Sequence, residues 1–118
     1  MIYYEDLLTV PYKTNGRSMD GMDCYGLVLE CSRRNETPLN DILKPGETRV
    51  NAAKIETPEA GDIATFLEKG HFHIVFYLAK DTVIHMTHYG VRVSCALDVE
   101  RKNNYMAMRI EKNDSSIL

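Results

Sequence analysis

No run of apolar residues in this sequence approaches the ~20 needed to cross a bilayer, so no membrane-spanning helix is expected. An excess of one charge is also missing: 14 Lys plus Arg stand against 17 Asp plus Glu, a net charge of -3. Without a basic surplus, composition gives no attraction to nucleic acid, and Arg33-Arg34 reads as the solvated end of a helix. Met1-Ile2-Tyr3-Tyr4-Glu5-Asp6 carries acid where a signal peptide carries positive charge, and no extended apolar stretch follows. The expectation is synthesis in the cytoplasm, with some other device carrying the chain out if its substrate lies outside. Cysteine is scarce and odd in number, three in all and not closely spaced. That argues against a disulfide scaffold and leaves at least one thiol free. There is no internal repeat, no low-complexity tract and no compositional sign of disorder.

What is present fits one domain over residues 1–118: the length suits one core, and 44% of the residues are hydrophobic. The front half reads helical. A short helix over Tyr4 to Leu8 stops near Val10-Pro11, because a residue before proline is pushed out of helical geometry. Asn15-Gly16 and Asp20-Gly21 mark turns. The stretch 23–34 reads as a helix, with Asp23 at its N-cap or first turn and Arg33 and Arg34 at its C-terminal end. Its apolar positions 24, 27, 28 and 31 fall on one stripe. Residues 38–54 read as loop with one helical turn, anchored by Leu39, Ile42 and Leu43. The back half holds short β-branched and aromatic runs: Ile63 to Phe66, Phe72 to Leu78, Thr82 to Met86, Val91 to Cys95 and Tyr105 to Ile110. Close turns separate them, the pattern of an antiparallel meander. The fold class is α+β, with about five strands in one sheet and a helix packed on it.

Two groups of residues could carry chemistry. Cys24 opens the helix, where the positive end of the dipole and free N–H groups would lower a thiol pKa and could hold an oxyanion. The alternative is a small buried hydrophobe. Gly26 inside the helix implies close approach of a neighbouring strand. The four histidines, His71, His73, His85 and His88, fall within 18 residues. Period two places His73, Val75 and Tyr77 on one strand face and Phe72, Ile74, Phe76 and Leu78 on the other. The short Lys80-Asp81 connection makes the next strand an antiparallel neighbour and brings His85 toward His73. A base held by a second polar side chain is what nucleophilic catalysis needs. His88 ends its strand before a turn and is expected to matter less; His71 is expected to face solvent. The alternative for each is an ordinary strand residue. A metal site is not expected, because no carboxylate or thiolate joins the histidines at ligand spacing.

Val10-Pro11-Tyr12 through Gly16, then Gly21-Met22-Asp23-Cys24-Tyr25-Gly26-Leu27-Val28, resembles the nucleophile region of the NlpC-type cell-wall cysteine peptidases. Ala60-Gly61-Asp62-Ile63-Ala64-Thr65-Phe66, His73-Ile74-Val75-Phe76-Tyr77-Leu78 and Ile84-His85-Met86-Thr87 resemble that family's later strands, in family order, over residues 10 to 95. The resemblance implies a papain-like fold and a Cys24–His73–His85 site needing no cofactor. It also implies cleavage of an amide in peptidoglycan stem peptides. By the same resemblance Asp23 binds a substrate amine or fixes the loop, and Tyr12 lines the site.

Two departures stand out. Tyr25 replaces the usual Ser and Val75 the usual Gly, both adding bulk expected near the site. An aromatic after the cysteine, a short chain and no export signal resemble phage and prophage tail members, whose partners would be tail proteins. Two other functions stay open: a largely inactive tail-assembly component, and an amidase or acyltransferase on the same scaffold.

Overall fold

The computed structural model describes residues 2–41 and 50–111. The N-terminal segment makes a single 3-10 turn, Glu5–Leu7, instead of the expected helix. It is followed by a two-stranded hairpin, β1 (Arg17–Ser18) and β2 (Gly21–Met22), turning at Met19-Asp20. Helix α1 spans Cys24–Arg34. Its start is fixed by Asp23, whose extended backbone and side chain, accepting from the Gly26 N–H, make it an N-cap. Leu27, Val28 and Cys31 are fully buried, so the expected stripe is the packed face. Each such side chain contributes roughly 1.5–3 kcal/mol on burial, which stabilises a helix too short to persist alone. Arg34 is not solvated as expected: it bonds Glu30, Asp6 and the Tyr3 carbonyl, tying the helix end to the N-terminal segment.

The sheet has six strands: β3 (Ala52–Ile55), β4 (Ile63–Glu68), β5 (His71–Ala79), β6 (Thr82–Thr87), β7 (Gly90–Cys95) and β8 (Asn103–Ile110). Their order is β3-β8-β4-β5-β6-β7, with every pairing antiparallel. The meander therefore holds only from β4 to β7. The last strand returns to lie between β3 and β4. The sequence missed β3, whose residues alternate too weakly to announce a strand; its pairing with β8 comes from tertiary context. It also missed α2 (Ala96–Glu100), one short helix. Ile42 and Leu43 lie outside the described residues, while Leu39 is buried as expected.

Alternation sorts the sheet's two faces. Ile63, Ile74, Phe76, Leu78, Ile84 and Met86 join the core under α1. Ala64, Phe66, Val75, Tyr77 and Val83 form a second cluster with Ala96 and Val99 of α2. Val75 is fully buried there, so its bulk goes into a core, not into the substrate groove as the sequence suggested. Asp62 is nearly buried, and Arg109 binds its carboxylate through two nitrogens. The Gly-Asp motif at the start of β4 is thus a structural clamp onto β8.

Candidate active site

Cys24 is the first residue of α1 and half-buried, packed against the core. Burial, and then the neighbouring Asp23 charge, push its thiol above the ordinary value, while the N–H groups of Ile74, Tyr25 and Cys24 itself pull the other way. The expected lowering at a helix start is therefore outweighed by desolvation. The N–H groups of a helix start suit developing negative charge. Cys31 is fully buried and its thiol is pushed up to about 12 by burial, whereas Cys95 is exposed.

His73 stacks on Phe66, its partner across β4 and β5, at 5.5 Å between ring centroids. It lines two cavities with Cys24. One, of about 350 Å³, is bordered by Arg17, Tyr25, Ile74 and Met108. The other, of about 330 Å³, is bordered by Tyr12, His71, Met86 and His88. Among the described residues no direct hydrogen bond joins Cys24 to His73 or His73 to His85. His85 shares with His73 a third cavity of about 650 Å³. Its Nε2 lies 3.2 Å from Ser94 Oγ on β7. Burial, then the charge of His73, holds the His85 imidazole below its ordinary value. His73 lines all three cavities, and Cys24 lines two of them.

The loop before α1 is held by its glycines. A Cβ on Gly26 would meet the Gly16 carbonyl at 2.2 Å, so it is this loop, not a strand, that approaches the helix. Asp23 fixes that loop: it accepts from Gly26 N–H (2.7 Å), Arg17 Nη1 (2.7 Å) and Asn15 N–H (3.2 Å). Arg17 continues to Asp41 through Nε at 2.9 Å. Tyr25, where the bulk does border the groove, donates its hydroxyl to the Asn40 carbonyl at 2.6 Å and lies under the Arg17 guanidinium. Tyr12 stacks on His88 with centroids 4.7 Å apart. Sequence reasoning missed Arg17, Ser94 and the groove position of His88. Arg17 sat in the glycine-containing loop before Asp23, which was the available signal. Among the described residues no cluster of His, Cys, Asp or Glu is arranged to hold a metal ion, and no helix is long and apolar enough to cross a membrane.

A helix that opens on Cys24, packed on an antiparallel sheet that carries the histidines, defines a papain-like α+β fold. The NlpC/P60 family model matches residues 9–111, and the chain belongs to that family. Among solved structures, the NlpC/p60 domain of the peptidoglycan hydrolase SagA is similar, with TM-score 0.59 and 19% identity over 87% of this chain and 89% of that one. No curated protein matches this chain.

Proposed function

We propose that this protein is a cell-wall cysteine peptidase that hydrolyses amide bonds in peptidoglycan stem peptides. The carrying observation is the placement of Cys24: at the N-terminus of α1, in two cavities that His73 also lines. Membership of the NlpC/P60 family and the likeness to a peptidoglycan hydrolase domain support the substrate class. Cys24 Sγ attacks the amide carbonyl carbon as its proton passes to His73, and the helix-start N–H groups hold the oxyanion. His73 then protonates the departing amine, leaving a thioester. Water, deprotonated by His73, adds to the thioester and frees the acid and the thiol. His85, in the cavity that His73 also lines and with its Nε2 3.2 Å from Ser94 Oγ, is the residue assigned to position His73. Asp23 holds the loop, accepting from Gly26, Arg17 and Asn15, and borders the groove; Tyr12 and Tyr25 wall it. No step calls for a cofactor.

Purified peptidoglycan fragments incubated with the protein, with products identified by mass spectrometry, test this reading. New free amino and carboxyl ends in stem peptides are expected, and none with Cys24→Ala. Intact fragments with the wild-type protein would sink it. The finer setting, a phage or prophage tail, rests on Tyr25 after the cysteine; finding the protein in purified particles tests it.

A further inference from the structure

His88 and Tyr89 are the two central residues of the β6–β7 turn, between the paired Thr87 and Gly90. Such a turn usually waves in solvent. This one is pinned: Thr87 Oγ1 accepts from the Tyr89 N–H at 3.1 Å and donates to the Gly90 carbonyl at 2.8 Å. The His88 ring lies almost parallel to Tyr12, 14° between planes, and so joins the sheet to the loop that precedes α1. The stack forms one wall of the cavity that Cys24 and His73 share, and His88 also borders the cavity of His85. His71 stands in the same wall.

The polar side chains that line this cavity are the Tyr12 hydroxyl, the imidazoles of His71, His73 and His88, the Cys24 thiol and Asp23. Asp23 is already met by Arg17 and two backbone N–H groups. With Asp23 so occupied, the Tyr12 hydroxyl and the imidazole N–H groups are the donors that face the cavity, and a charged acceptor gains most from them. We propose that His88, held by its stack on Tyr12, is a specificity-determining residue that binds a substrate carboxylate beside Cys24 and His73. This rests on the peptidase reading above. The carboxylate is either a side-chain acid or the free C-terminus of the peptide.

Three synthetic stem peptides decide between these: one unmodified, one with side-chain carboxylates amidated, one with the C-terminus amidated. KM and kcat are measured for wild type, His88→Phe and His88→Ala. Binding of each peptide to a Cys24→Ala protein, with and without His88→Phe, is measured by calorimetry. Amidating the recognised carboxylate should raise KM about tenfold in wild type, the loss of one charge-assisted hydrogen bond, with a smaller change in kcat. His88→Phe keeps a ring on Tyr12 but has no N–H; it should raise KM for the unmodified peptide by a similar factor and erase the difference between peptides. His88→Ala should do at least as much. If His88→Phe discriminates among the peptides as wild type does, in turnover and in binding, the proposal is overturned while the peptidase reading stands. If wild type cleaves none of them, yet the Cys24→Ala protein prefers a carboxylate in a His88-dependent way, the peptidase reading fails and the carboxylate site stands. Absence of binding by any form overturns both.

Discussion

Single side chains near the groove differ sharply in what they should cost when removed. Cys24→Ala and His73→Ala are expected to abolish turnover, since one removes the nucleophile and the other its base. On the proposed mechanism His85, which lines a cavity with His73, positions it, so His85→Ala should slow turnover by a smaller factor, on the order of 10 to 10⁴. Rates on a stem-peptide substrate check the grading, and a His85→Ala enzyme as dead as Cys24→Ala would contradict it. The thiols give a second test. Cys31 is buried with its thiol pushed up to about 12, so iodoacetamide should reach it only on unfolding. Cys24 and Cys95 should label in the native protein, Cys24 faster as pH rises, because its thiol lies above the ordinary value. Peptide mapping after timed labelling would show it. His85 also links stability to pH. The fold holds it neutral below its ordinary value of 6.5, so the unfolded chain takes up the proton first as pH falls. Its contribution is complete above 6.5 and is lost as pH drops through 6.5 toward the lower folded value. Urea midpoints should decline over that window, and His85→Gln should flatten the decline.

At the scale of elements, the start of α1 is the critical joint. Asp23 caps the helix, pairs with Arg17 and holds the Asn15 amide, while Gly26 lets the Gly16 carbonyl lie against the first turn. A Gly26→Ala methyl would press on backbone, which has no flexible end to give way. We expect a loss of about 1–3 kcal/mol, together with lower turnover as the loop lifts from Cys24. Denaturant unfolding and rates measured on the same preparation would show both. A variant of unchanged stability and rate would mean that the loop is looser than this contact implies. Helix α2 has a different anchor. Tyr77 is buried on β5 and donates to Glu100 at 2.9 Å, and its oxygen lies 2.6 Å from that of Tyr105. Tyr77→Phe leaves both partners short of a bond, at a cost of about 1–3 kcal/mol, with the site otherwise intact.

For the molecule as a whole, the groove is a product of topology. The front half supplies Cys24 and the loop, the back half the histidines, and the pairing of β4, β5 and β6 sets where the histidines lie. Turnover should therefore survive a chelator, since thiol and imidazole carry the chemistry and no metal cluster is arranged among the described residues. Inactivation by EDTA that zinc reverses would overturn that.

Local pattern determined the parts of this protein that depend on neighbours in sequence. Helix α1, its cap and buried stripe, the faces of β5 and the two-residue turns all follow from periodicity and from residues that fix their own backbone. The resemblance in four ordered segments carried the family and the candidate residues Cys24, His73 and His85. Other features needed the folded chain, because they depend on partners distant in sequence. Strand β3 exists through β8, and β8 lies between β3 and β4 instead of extending the meander. Val75 turns away from the groove, and Arg17 occupies Asp23. His88 reaches the site only because Tyr12, from the other half of the chain, lies beneath its ring. The thiol of Cys24 was read from sequence as lowered, since a helix start is visible there. Its burial is not, and desolvation is set by everything packed around it.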